Sequence, residues 1–414
     1  MRTEYLKLLL ALTLTTASGL QHSSCIGVPV SSKPEDALVA DAGQDADDAT
    51  LHGDAHVDDA RTDATAPSDA AVDDSAVDAA PNPNVIVLPP TGNTEMGGFV
   101  NGGLIVTYSD KRWPAENELD VFIFDILGRQ EQQITNRTSD QSAPYTDGYE
   151  VLFNDGSFYD YLVGRYQIEL YEYSIASFSE TRLTDTPYIK SQPKFNNALI
   201  LYRSSEGCPT PTDINLSLMD RQTLETTVVS GCEQDPETHS ISEHYAAWTA
   251  RPYAGHNKDI FVRDLLAGLN FRIESTDYAD QFFPHTDDDH VIWMDYRDGR
   301  REIYMYTFST GVEECLTPDP YEQAWPHLRD GIASWCDYRF SQQYGEYAPC
   351  DVYVYEIATG VGRRVTSESK TWMPRFVDSG WLLYGLRITA GQFRLYAHDL
   401  VADGILSADG HVIP

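Results

Sequence analysis

The chain of 414 residues carries no G-x-S-x-G, H-E-x-x-H or C-x-x-C motif and no glycine-rich phosphate loop. These absences remove the local signatures of a serine-hydrolase nucleophile, a zinc peptidase, a dithiol redox centre and a nucleotide cradle. No stretch offers the roughly 20 apolar residues that a membrane-spanning helix needs, so no transmembrane segment is expected. Positive charge is scarce: 29 Lys and Arg stand against 64 Asp and Glu, a formal net charge of −35. Nucleic-acid affinity comes largely from Lys and Arg displacing counterions, so this balance points away from a nucleic-acid partner.

What is present begins with an export signal. Arg2 and Lys7 precede the apolar run Leu8 to Leu14, and small residues follow at Ala17, Ser18 and Gly19, the order of a signal peptide. Residues 1–25 are read as that signal, with two processing routes open: cleavage after Gly19, or lipid attachment at Cys25. Ser23 and Ser24 suit lipidation, while His22 stands where an aliphatic residue is usual. Residues 26–84 are mostly Asp, Ala, Thr, Val and Pro, and from Glu35 to Asn84 14 acidic residues face the single Arg61. Without aromatics or an apolar period this stretch cannot bury enough surface to offset the entropy of ordering. It is read as a disordered acidic tether. Its aspartates lack the fixed spacing and glycine of a calcium loop.

Residues 85–414 are repetitive. Phe282 to Thr317 contains a Pro-led segment, a turn at Asp287 to Asp289, the alternating run His290 to Asp295 and a turn at Asp298-Gly299. The run Glu302 to Phe308, a Thr310-Gly311 turn and a short strand at Glu314 to Thr317 complete it. Four antiparallel strands per repeat make a propeller blade. Pro144 leads to Phe153, Pro193 to Tyr202, Pro284 to Trp293 and Pro326 to Trp335, always nine residues on. Phe99 to Tyr108 and His239 to Trp248 keep the interval without the proline, and Pro374 to Tyr384 stretches it by one. The expected fold is therefore all-β, a seven-bladed propeller of four-stranded antiparallel blades. The last repeat lacks a fourth strand, and Asn84 to Leu88 is the preferred candidate to supply it, ahead of Gly410 to Ile413. Most blades are expected to end in a strand such as Gln133 to Thr135, Arg182 to Thr184, Cys315 to Thr317 or Arg364 to Thr366.

Export places the cysteines in an oxidising compartment. Cys336 and Cys350 bracket one predicted hairpin, and Cys208 and Cys232 follow the second and fourth strands of another blade, so both pairs are expected to be disulfides. Cys315 is left over and is expected to be a buried, inert thiol.

Gln281, Pro284, Trp293, Asp295, Arg297, Gly299 and Ile303-Tyr304 recur as Gln323, Pro326, Trp335, Asp337, Arg339, Asp351 and Tyr353. This pattern resembles the TolB-like propeller repeats of exported bacterial and archaeal surface proteins. The resemblance covers about three quarters of the chain and implies a fold; propellers host binding and catalysis alike. TolB itself has a separate N-terminal domain where this chain has the acidic stretch.

Trp-x-Asp-Tyr-Arg at Trp293 and Trp335 occupies one point of the repeat, so its Asp and Arg are expected to fix turns or blade contacts. His285 and His327 directly follow the repeat proline on the first strand, the strand nearest a propeller's channel. The equivalent positions elsewhere are Val100, Tyr145, Lys194, Ser240 and Arg375. The candidate channel-facing binding residues are Tyr145, Lys194, His285, His327 and Arg375. The alternative is a divalent metal held by His285 and His327 with Gln281 and Gln323; the oligogalacturonate lyase family is similar in using His and Gln in this way. His239 is offset by one residue, which turns it away. The primary expectation is a non-catalytic binding or scaffold module without a cofactor, for an envelope protein or polysaccharide, in the periplasm or at the cell surface, held on an outer-membrane lipid anchor if Cys25 is lipidated. Its longest rim loops are expected at Tyr159 to Tyr166, Ser204 to Thr212 and Asp337 to Pro349.

Overall fold

The structure is a computed structural model that describes residues 82–88, 99–101, 105–110, 119–160, 165–210, 212–253, 255–273, 279–341, 349–367, 371–376, 380–389 and 392–414. The expected signal peptide, Cys25 and the tether up to residue 81 lie outside them. Within them the chain is a β-propeller of four-stranded antiparallel blades, with a single short 3-10 turn at Cys232–Gln234.

Six sheets are built from four consecutive strands each. The first comprises Phe99–Asn101, Ile105–Asp110, Asp120–Asp125 and Gln130–Gln133. The second comprises Gln141–Thr146, Glu150–Asp160, Arg165–Ser174 and Ser179–Arg182. Lys190–Phe195, Leu199–Ser204, Asn215–Asp220 and Thr226–Ser230 form the third. His239–Ile241, Tyr245–Ala250, Asp259–Asp264 and Leu269–Ile273 form the fourth. The fifth is Gln281–Thr286, His290–Asp295, Glu302–Thr307 and Val312–Cys315. The sixth is Gln323–Arg329, Ile332–Asp337, Asp351–Glu356 and Val361–Arg364.

A seventh sheet is composite. Thr371–Phe376, Trp381–Thr389 and Gln392–Asp399 are joined by Val85–Val87, which pairs antiparallel with the last of them, Ile86 opposite Ala397. Asp403 secures the joint by accepting from Asn82 Nδ2 at 2.6 Å and from Asn84 Nδ2, beside His398 Nε2. Gly410 to Ile413 does not enter the sheet. The tail folds back onto the sixth sheet, where His411 Nδ1 lies 2.6 Å from Glu356 Oε1 and Val412 N donates to Glu356 Oε2 at 3.1 Å.

The strands read as apolar on both faces because each blade is buried between two others. Ile260, Val262 and Ile273 of the fourth sheet pack on Val291 and Trp293 of the fifth. Ile292, Ile303 and Met305 pack in turn on Leu328, Ala333 and Trp335. Ile86, Leu383 and Leu395 of the composite sheet pack on Phe122 and Phe124 of the first. Each such fully buried aliphatic side chain contributes about 1.5–3 kcal/mol.

Several local expectations change. The fourth strands end about two residues early, and the threonines beyond them cap the ladder: Thr135, Thr184, Thr317 and Thr366 accept from the amides of Val121, Leu170, Ile303 and Val352 at 2.8–3.0 Å. The presumed loop from Tyr159 to Tyr166 belongs to a hairpin in which Tyr159 pairs with Tyr166. Disulfides join Cys208 to Cys232 and Cys336 to Cys350, with Cα atoms 5.8 and 5.4 Å apart. The expectation of an inert thiol at Cys315 is overturned. Cys315 is only half-buried, at the end of an outer strand where burial does not shield it, and it is disulfide-bonded to a partner outside the described residues.

Candidate functional site

The first strands of the second, third, fifth and sixth blades share one irregularity. Ala143, Gln192, Phe283 and Trp325, each just before the repeat proline, lie at φ between 50° and 58°. At that point two residues face one on the neighbouring strand, as where Phe283 and Pro284 interrupt the pairing between Phe282 and His285. Such a bulge re-aims the side chain that follows it. Tyr145, Lys194, His285 and His327 come next, opposite Leu152, Leu201, Ile292 and Ser334. The fourth blade reaches the same register without a bulge, placing Ser240 opposite Ala247.

These five side chains line one cavity of about 430 Å³. His285 and His327 lie with ring centroids 4.2 Å apart. The Tyr145 ring meets Phe195 edge-on at 5.5 Å. Burial pushes the Tyr145 phenol up, and the Arg329 guanidinium of the sixth blade acts on it in the opposite sense. Lys194 Nζ donates to the carbonyl of His239. Ser240 is 4% exposed, and its Oγ has no hydrogen-bond partner among the described residues. At the mouth stand Asp147, Asn197, Glu243, Asp288, Asp330 and the 76% exposed Tyr149.

His239 is buried outside this lining, with Nε2 2.8 Å from the Gln192 carbonyl. Burial and the nearby Lys194 charge hold it well below the usual histidine range, so it is a neutral tie between two blades. Arg375 stands at the ring register of the composite sheet, opposite Leu383, but its side chain lies outside the described residues. In the first sheet it is Phe99, opposite Thr107, that holds the position assigned above to Val100.

Gln281 and Gln323 do not join the two histidines. Gln281 Nε2 donates to Asp295 Oδ2 at 2.8 Å, and its Oε1 accepts from the Ile260 amide at 3.0 Å, bridging two blades. Gln323 Nε2 donates to Asp319 Oδ1 at 2.9 Å. Asp295 also accepts from Trp293 Nε1 at 2.9 Å and from the amide and Nη2 of Arg297 at 2.9 and 2.7 Å. Asp337 takes the same two bonds from Arg339, so the Trp-x-Asp-Tyr-Arg residues close turns. Among the described residues no three His, Cys, Asp or Glu form a cluster suited to a metal.

The Asp287 to Asp289 turn is committed internally as well. Asp287 Oδ1 accepts from the amides of Asp289 and His290 at 2.9 and 2.7 Å, and Oδ2 from Gly331 N at 3.1 Å. Burial pushes the Asp287 carboxyl up, but His290 and these amides outweigh it and hold it below the ordinary carboxylate range. Arg329 and Tyr149 are among the lining residues that escaped the sequence reading; for Arg329 the signal was alternation, since it stands two positions beyond His327 on one strand face.

No family model and no curated protein matches this chain. Solved structures do. An oligogalacturonate lyase in complex with manganese is 13% identical, with 77% of this chain and 91% of that one covered at a TM-score of 0.53. The β-propeller domain of the trilobed protease from Pyrococcus furiosus is 12% identical, covers 77% and 94%, and scores 0.53. The likeness is one of fold. A structure described as a TolB from Agrobacterium tumefaciens is also among the matches, at 15% identity, 67% and 97% coverage and a TM-score of 0.42. The Pyrococcus domain is described as having an open velcro topology; here Val85–Val87 completes the last sheet.

Proposed function

We propose that this chain is an exported, non-catalytic binding module, a seven-bladed ring whose ligand site is the cavity at the inner ends of its blades. One observation carries the reading: Tyr145, Lys194, Ser240, His285 and His327, from five successive blades, line the same cavity. The bulged first strand recurs in four of these five blades and its register in all five, whereas the five side chains differ in chemistry, as a site for a specific ligand requires. Two internal disulfides suit an oxidising compartment, and no helix among the described residues is long and apolar enough to cross a membrane. The partner is an envelope protein or polysaccharide. The test is capture from envelope extract by the purified chain, compared with a Tyr145→Ala, His285→Ala double variant; equal capture by both sinks the reading.

A second reading is a metal-assisted polysaccharide lyase, favoured by the 4.2 Å approach of two imidazoles in the cavity and by the fold shared with a manganese-bound oligogalacturonate lyase. Gln281 and Gln323 contribute nothing to such a site, because their amides are engaged inside the blades. Stoichiometric metal lost in His285→Ala, together with double-bond absorbance on polysaccharide turnover, would establish this reading over the first.

A further inference from the structure

The cavity is electrically polarised along its axis. Its more buried lining carries Lys194, the two imidazoles, and the hydroxyls of Tyr145 and Ser240, while Arg329 stands at the rim beside the exposed Asp330. These inner groups can all donate hydrogen bonds, and Lys194 carries a fixed positive charge. The mouth presents Asp147, Glu243, Asp288 and Asp330 instead. Asp288 is shared with His244, whose amide lies 3.2 Å away, and Asp330 with Arg329 at 3.6 Å. Glu243 Oε2 accepts from Asn197 at 3.1 Å. The surrounding protein is strongly acidic, with residues 85–414 carrying −24 of the chain's −35. A polyanion is repelled at this mouth before it reaches the inner wall.

We infer that the cavity takes a ligand that presents one carboxylate to the inner wall and positive charge to the rim, a basic peptide C-terminus or a small zwitterion. The inference rests on the cavity being the binding site. The buried Ser240 hydroxyl supports it independently, because a buried hydroxyl without an internal partner is explained when a ligand or an ordered solvent atom completes its bonding. One carboxylate on an otherwise cationic chain satisfies both ends of the cavity. A uronate polymer carries a charge on every unit and satisfies only one.

Calorimetry on the full chain with three probes tests this: the peptide Lys-Arg-Lys-Gly-Gly as free acid, the same peptide C-amidated, and trigalacturonate. The free acid should bind, amidation should weaken binding roughly 10- to 100-fold as a charged hydrogen-bonding group is lost, and trigalacturonate should bind far more weakly than the free acid. Free arginine, run alongside, separates the two sources: binding equal to the peptide assigns a small zwitterion, and much weaker binding assigns a peptide end. Ser240→Ala should keep or raise the melting temperature yet weaken the free acid several-fold, an effect that a structural role for the hydroxyl does not produce. Equal affinity for free acid and amide, tighter binding of trigalacturonate, or no binding of the free acid overturns the inference. Capture of an envelope partner lost in Tyr145→Ala, His285→Ala but indifferent to C-terminal charge would leave the cavity reading standing while this one falls.

Discussion

Two regions of each blade obey opposite rules. At the outer end of the first strand, the Gln, Asp and Arg of the fifth blade recur in the sixth as the same chemistry: Asp295 and Asp337 are fully buried carboxylates that accept from the arginine two positions on. In the second blade Asp155 keeps the place, but Ser139 and Arg137 reach it from the preceding segment. At the inner end, the residue after the proline changes from Tyr145 to Lys194, His285 and His327 on one backbone geometry. What the repeat keeps is what each blade needs to stand; what it varies is what only the assembled ring can use.

The comparison is broken most forcefully at the ring's seam. Deleting residues 84–90 removes the strand that completes the composite sheet, with the buried Ile86 and Leu88. The melting temperature should fall sharply, and an unchanged transition would show that closure contributes nothing. Asp295→Ala should cost about 3–5 kcal/mol in chemical denaturation, because Arg297 and Gln281 lose a buried partner. Replacing Cys208 and Cys232 by Ala should cost up to about 3.5 kcal/mol, the loop-closure entropy of a 24-residue separation. His285→Ala, at a half-buried inner position, should shift stability by under about 1 kcal/mol. A large loss there would blur the division between architecture and site.

A gentler probe is pH. Contact with Glu356 raises the His411 imidazole above its ordinary 6.5, and contact with His411 lowers Glu356 below its ordinary 4.5. The histidine's contribution is complete below about 6.5 and fades as pH rises through its higher folded value. The glutamate's is complete above about 4.5 and fades as pH falls through its lower folded value. Docking of the C-terminal tail should therefore be tightest between these limits. Hydrogen-exchange protection at residues 405–413, measured against the intrinsic rate at each pH, should be highest there and fall on both sides; a flat protection profile from pH 4 to 9 would mean that the pair does not hold the tail.

Much of the fold was legible because it is periodic: a proline and an aromatic nine residues on mark each bulged strand and its partner, and both are set by neighbours close in the chain. The inner ring was legible for the same reason, with alternation identifying which side chain follows the bulge. Gln281 and Gln323 misled because distance in sequence was taken for distance in space. The bulge at Phe283 and Trp325 and the length of the strand carry the glutamines to the opposite end from the histidines, where a carboxylate 14 residues later takes their amides. Cys315 misled because a bond to a distant cysteine leaves no trace in local pattern.

By itself, the sequence determined the repeated four-stranded units, their order and, for the second to sixth blades, the side chain at the inner register, since strand alternation and turn chemistry act over a few residues. Only the tertiary structure decided that Val85–Val87 completes the last sheet, that Asp403 fastens it, and that cationic and hydroxyl groups from five blades meet behind an acidic mouth. Those contacts join residues tens to hundreds of positions apart, and they exist only once the ring brings their blades together.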